Sequence, residues 1–309
     1  MVPSRGTFSG LAMRHILQIV VASALLVGPL VAFPGAAHAG RNDITLQRFG
    51  ECQEVRTNRG TVPCALVTID DEAFRSLTRD VGLVLSPKLR ASAETLGQSG
   101  FAIQIDQNFS TVDARSDYWV RANVDEDPSG TLLSTQLHLR KGLPMSLEVG
   151  TMVTFIWQSD LVAVGAEFKW SLHEDTLWPV PDLTIRGFGN TLVGHPQLNL
   201  TNAGVDVVTG IPIGVGGVMN VTPYLGYTMT MIIAGSQVID ATPEDPLPPV
   251  LSDDALANSQ PEYSFDVESQ LAHQALAGLR FQFGVANVLF EVNANSAVQT
   301  YGLTLGTDF

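Results

Sequence analysis

The sequence predicts an all-β protein, a transmembrane antiparallel up-and-down β-barrel of about twelve strands, with ten as the alternative count. Three observations lead there. Apolar and polar residues alternate with period two through runs of about 9–14 residues, the length a tilted strand needs to cross a bilayer. Aromatic residues sit at the ends of several of these runs. Beyond the N-terminal leader no apolar stretch reaches the roughly 18 residues of a membrane helix, so crossing requires strands whose closure pairs every backbone group. A soluble sandwich also alternates, but its apolar face points inward and its strands average about five or six residues.

Taken in order, residues 1–39 read as an export signal. Arg14 and His15 precede an apolar run from Ile16 to Phe33, followed by Pro34, Gly35 and the small-x-small sequence Ala37-His38-Ala39. Residues 1–12 add nothing to this pattern, so Met13 is an alternative start. An uncleaved anchor is the competing reading; Pro29, Pro34 and the Ala-His-Ala site favour cleavage after Ala39. Of 17 basic and 31 acidic residues, only Arg5 and Arg14 lie in this leader, so its removal takes the net charge from −14 to −16. Such an acidic chain offers no basic surface for nucleic acid.

Residues 40–80 do not alternate. They read as a periplasmic extension that could also plug the barrel mouth. Asp70 or Asp71 is placed to cap a short helix with Phe74 and Leu77 on one face. Cys52 and Cys64 are the two cysteines of the chain, and in an exported protein a local disulfide between them is the expected state. Two thiols with no nearby histidine make a poor metal site.

Residues 81–309 carry the barrel. Candidate strands fall near 81–88, 101–110, 116–124, 131–140, 144–157, 161–173, 181–194, 198–211, 217–233, 262–283, 285–295 and 298–309. Phe101, Ile103 and Ile105 alternate with Gln104 and Asp106; Leu137 and Leu139 with His138 and Arg140; Phe168 and Trp170 with Glu167 and Lys169. Over 263–283 the odd positions, from Tyr263 and Phe265 to Phe283, form one apolar face. The segment 89–100 reads as helical or irregular and falls on the outer side by parity.

The last strand alternates down to an aromatic: Tyr301, Leu303, Leu305, Thr307 and Phe309 on one face, with Gly302, Thr304, Gly306 and Asp308 between them. It resembles the C-terminal insertion signal of bacterial outer-membrane β-barrel proteins. That resemblance implies residence in the outer membrane among lipid and lipopolysaccharide. It also implies recognition by the barrel-assembly machinery, and Phe309 facing the periplasm. The long connection 234–261 then lies outside, while tight turns at Lys141–Pro144, Ile211–Gly216 and Gly284 lie inside, as short periplasmic turns should.

The polar face of these strands collects charges of both signs: Arg140, Glu148, Glu167, Lys169, Arg186, Asp206, Asp266, Glu268, Arg280 and Glu291. Pointing into the lumen, they would either set a selecting field for solutes or pair across strands and hold a narrow barrel together. Arg186 should neighbour Glu167 and Lys169. A barrel hydrolase would need Ser and His in contact, yet Ser134/His138 and Ser269/His273 are each four residues apart on a strand, roughly 13 Å. No catalytic residue, cofactor or metal site is expected. Loop 234–261 carries Asp240, Glu244, Asp245, Asp253 and Asp254, no Lys or Arg, and Pro243, Pro246, Pro248, Pro249 and Pro261. It reads as an extended acidic loop able to attract divalent cations. The functional expectation is a narrow passive channel or small-solute transporter. The alternative is a non-conducting barrel that displays loop 234–261.

Overall fold

The computed structural model describes residues 40–57, 60–124, 127–174, 180–241 and 262–309. The leader and most of loop 234–261 therefore lie outside the described residues. Among the described residues, fifteen strands and two α-helices follow in chain order. The hairpin β1 (Gly50–Thr57) and β2 (Gly60–Ile69) leads into α1 (Asp71–Leu85). An irregular strap, residues 86–100, connects α1 to β3 (Phe101–Thr111). After α2 (Asp117–Ala122) come β4 (Thr131–Leu143), β5 (Leu147–Ile156), β6 (Val162–His173), β7 (Asp182–Val193) and β8 (Leu198–Gly210). The short β9 (Ile213–Val215) precedes the long β10 (Met219–Ser236). Then follow β11 (Ile239–Asp240), β12 (Glu262–Tyr263), β13 (Glu268–Phe283), β14 (Ala286–Ala294) and β15 (Gln299–Asp308).

Ten strands close into a barrel in the order β13-β14-β15-β3-β4-β5-β6-β7-β8-β10, with β10 pairing back onto β13 over residues 220–234. β9 lies beside β10 as an extra strand. All pairings are antiparallel and nearly all join sequence neighbours. The seam is between first and last strands: the Phe309 amide donates to Phe101 O at 2.8 Å and the Phe101 amide to Phe309 O at 2.9 Å.

The barrel therefore has ten strands, the alternative count, and two of the twelve candidate segments are not strands. Residues 81–85 continue α1 and 86–88 begin the strap instead of forming a strand, because the helix capped by Asp70 runs on through Val81, Leu83, Val84 and Leu85, all buried. Within 116–124, residues Asp117–Ala122 form α2, whose Trp119 and Ala122 are buried against the α1 region instead of facing lipid.

Alternation places the apolar residues outside. Ile103, Ile105, Leu137, Leu139, Ile185, Val207, Met229, Leu271 and Leu305 are all exposed. A contiguous apolar belt of this kind on a folded chain marks a surface meant for lipid. Aromatic residues rim it. Phe101, Phe309, Trp170 and Phe283 stand near the Phe309 end, with Phe109, Trp157 and Tyr301 near the other. Tyr263 and Phe265 are corrected from the lipid face to the interior. They are buried, Phe265 stacking on Phe74 with centroids 4.2 Å apart and meeting Phe49 edge-on.

These aromatics belong to an apolar cap at the end opposite Phe309. The cap joins residues 44–49 and α1 to the loop-end turns. Asn42 N donates to Gln158 O (2.8 Å), Leu46 N to Gln197 Oε1 (2.7 Å), and Tyr263 Oη to Leu46 O (2.6 Å). Residues 42–46 thus bond to the β5–β6 and β7–β8 connections, to α2 and to Tyr263, at the end opposite Phe309.

Candidate functional site

α1 begins as its sequence demands. Asp70 Oδ1 accepts from Ala73 N at 3.0 Å, and Asp71 and Glu72 occupy the first turn, where a carboxylate meets the positive end of the helix dipole. Arg121 of α2 donates to Asp70 Oδ2 at 2.5 Å, which holds the Asp70 carboxyl below its usual pKa. Asp80 clamps the two helices, accepting from Tyr118 Oη (2.8 Å) and Trp119 Nε1 (3.2 Å). The helix then enters the lumen, where Gly82 sits against Ile232 of β10 with no room for a side chain.

Beyond Leu85 the chain leaves the helix and runs through the barrel to the Phe309 end. The expectation that 89–100 lies on the outer side is therefore corrected. Residues 86–90, 92 and 93 are buried. A buried segment without secondary structure needs partners for its backbone, and the barrel wall supplies them. Asn202 Nδ2 donates to Gly82 O (3.2 Å) and Asn190 Nδ2 to Leu85 O (2.7 Å). Arg186 donates to Pro87 O (2.9 Å) and Lys88 O (3.0 Å). Arg140 donates to Leu89 O and to Arg90 O (3.0 Å). Thr184 donates to Ala93 O, and Lys169 to Ser92 O (3.2 Å) and Glu94 O.

The same wall residues pair among themselves. Arg186 meets Glu167 at 2.8 Å and also Asp206. Arg140 meets Glu167 at 2.5 Å and Glu148 at 3.7 Å, while Lys169 lies 3.6 Å from Glu148. Arg280 holds Asp308 of the last strand and Glu94 of the strap at 3.2 Å. Arg186 is thus brought beside both Glu167 and, across the β6–β7 pairing, Lys169.

Glu291 has a different partner. Its cross-strand neighbours are Gly278 and Gly302, so neither offers it a charged partner. Arg90 of the strap fills the gap, its Nη1 3.2 Å from Glu291 Oε1 and its Nη2 donating to Asn108 Oδ1. Tyr224 Oη donates to Glu291 Oε2 at 2.7 Å. A Cβ at Gly302 would collide with the Arg90 guanidinium and one at Gly278 with the Tyr224 ring. Leu89, alongside, sits in an apolar pocket with Val208, Tyr224, Leu276 and Leu289.

Of the ten charges expected in the lumen, Arg140, Glu148, Glu167, Lys169, Arg186, Asp206, Arg280 and Glu291 are buried on the inner face. Glu268 sits at the loop-end rim, 3.5 Å from Arg75 of α1. Asp266 is corrected: it precedes β13, is exposed, and lines nothing. Sequence reasoning missed Lys88 and Arg90 on the strap and Asp106 on β3. Asp106 lies 3.1 Å from His138 Nδ1 and accepts from Thr304 at 2.5 Å. One usable signal was the placement of glycines on both sides of Glu291.

Filled in this way, the lumen keeps little space. A cavity of about 20 Å³ at the Phe309 end, lined by Glu94, Gln104, Glu148, Lys169 and Arg280 among others, has room for about one water. His138 is engaged by Asp106 and by Gln136, not by Ser134, whose hydroxyl has no hydrogen-bond partner. His273 is on the outer face, bonded to Tyr227 Oη at 2.6 Å. No cluster of metal-ligating residues occurs among the described residues. Cys52 is on β1 and exposed; the side chain of Cys64 on β2 is outside the described ones.

The fold is that of the bacterial outer-membrane β-barrels: closed, antiparallel, up-and-down, apolar outside and polar within. Among solved structures, the chain is similar to the attachment invasion locus protein Ail of Yersinia pestis, with 11% identity, 69% of this chain and 99% of that chain covered, and a TM-score of 0.28. It is also similar to the KdgM porin (8%, 67% and 99%, 0.30). A third is the translocator domain of the autotransporter NalP from Neisseria meningitidis (9%, 77% and 96%, 0.35). No protein-family profile matches the sequence, and no curated protein matches it.

Proposed function

We propose that this chain is an outer-membrane barrel whose lumen is closed by its own strap and which presents a folded platform at the cell surface. The observation that carries this is the run of wall donors, Asn190, Arg186, Arg140, Thr184 and Lys169, bonded to carbonyls from Leu85 at the end of α1 to Glu94 of the strap. With Phe309 toward the periplasm, the hairpin β1–β2, α2 and the described ends of the connection 234–261 all face outward. The acids of that loop would then meet the divalent cations that bridge lipopolysaccharide. A Cys52–Cys64 disulfide would staple the hairpin, contributing about 2–4 kcal/mol. Thiol titration of the unreduced, denatured protein should find no free thiol. The chain has no enzymatic role in this reading.

The test is single-channel recording of the refolded mature chain, beside a heat-modifiability gel that verifies a folded barrel. A folded, silent barrel is the expected result; discrete steps in the intact protein would refute it. The second reading, a narrow passive channel or small-solute transporter, draws on the wall charges of both signs. It requires the strap to withdraw, so conductance should then appear only when residues 86–100 are displaced.

A further inference from the structure

We infer that the lumen is a binding site for an extended polypeptide, which reads the main chain of its ligand along most of its length and encloses two adjacent side chains completely. The resident strap is that ligand in cis. The wall contacts described above end on carbonyl oxygens from Leu85 to Glu94, and every peptide has a carbonyl. At Ser92 and Ala93 the wall bonds to backbone oxygens or to a small side chain. This stretch of the site is therefore indifferent to sequence, provided the side chains are small.

The two selective points are adjacent. Leu89 enters the apolar pocket of Val208, Tyr224, Leu276 and Leu289. Arg90 enters a polar socket made by Glu291 and Asn108, with Gly302 as its floor. Both Arg90 and Glu291 have side chains with 0% exposure. Without the strap, Glu291 would be left with Tyr224 and Asn293 as partners (2.7 Å each) and no cation. The space that Gly302 leaves beside the buried carboxylate is filled by a guanidinium brought from elsewhere in the chain. Arg90 also has φ +47°, a left-handed conformation unusual for a residue with a side chain. Strain of that kind persists where the surroundings over-determine it, here where a turn in the strap swings the guanidinium into the socket. The ligand class is therefore an extended segment with an apolar residue followed by arginine, and small residues after them.

The experiment uses the full chain carrying Leu89→Asp and Arg90→Ala, checked for barrel formation by heat modifiability. Unlatched, the strap should leave the lumen and the barrel should conduct. A synthetic peptide of residues 83–97 added to the bilayer chamber should then block the current. The same peptide with Arg90→Ala should block on the order of 100-fold less well, as loss of one member of a buried ion pair implies. A peptide with Ala91→Ser and Ala93→Ser should block like the native one. Equal block by the native and Arg90→Ala peptides, or block by neither, would overturn the inference, as would a folded variant that stays silent. Should the double variant fail to fold, Gly302→Val expels the guanidinium while leaving the strap sequence intact; that barrel should conduct and the native and Arg90→Ala peptides should block it equally, while a folded, silent barrel or stronger block by the native peptide would overturn the inference.

Discussion

Glu291 and Arg90 are a buried pair drawn from parts of the chain 201 residues apart. Replacing Glu291 with Ala leaves Arg90 charged and uncompensated in the lumen, at a cost of about 3–5 kcal/mol. The urea midpoint followed by loss of heat modifiability should fall accordingly, and Glu291→Gln should fall less. His195 gives a pH dependence outside the membrane. Its Nδ1 accepts from Gln197 N (3.2 Å) and Leu198 N (2.9 Å), so the fold needs it neutral. Burial lowers its pKa from 6.5, outweighing the raising effect of Asp160 and Asp43. Because the folded value lies below the unfolded one, the stability it contributes is complete above about pH 6.5 and is lost as pH falls through the folded value. Proteolysis of the β7–β8 turn should accelerate between pH 7.5 and 5, and His195→Asn, which keeps an acceptor but does not titrate, should remove that slope. At this scale the inward or outward direction of a strand residue was legible, because strand parity fixes it. Asp266 escaped because parity was carried past the start of β13. Arg90 escaped because its partner is set by register between distant strands, which no local pattern encodes.

At the scale of elements, α1 anchors the cap and aims the strap. Phe74 is buried among Phe265 and the residues around Phe49, so Phe74→Ala should cost about 3–5 kcal/mol locally. The expected outcome is faster protease cleavage within residues 40–70 while the barrel still shows heat modifiability. Asp70→Ala removes the N-cap and the Arg121 contact; an N-cap is worth about 1 kcal/mol. Its carboxyl is held below its usual pKa, so its contribution persists above about pH 4 and vanishes on further acidification. The start of α1 could be read from Asp70 and the Phe74/Leu77 spacing. Its length could not, because Val81–Leu85 is apolar on every side, and such a run fits a buried strand as well as a buried helix. Only the strands that enclose it decide between them.

At the scale of the whole molecule, alternation, strand length and turn placement made the barrel legible, since each follows from putting one strand face in lipid. The path of the N-terminal third was not legible. Nothing local tells a segment whether it rests beside a barrel or inside it. The seam between Phe101 and Phe309 suggests that deleting Phe309 removes the last pair of closing hydrogen bonds along with the aromatic rim residue. Outer-membrane yields of that deletion should drop well below those of the intact chain. The most direct test of the closed lumen is photo-cross-linking in the membrane. A photoreactive side chain at position 93, activated in the folded protein and mapped by mass spectrometry, should join β7 around Thr184, whose hydroxyl donates to Ala93 O. Adducts with lipid, with solvent or with the outer surface, and none with β7, would contradict a strap threaded through the barrel.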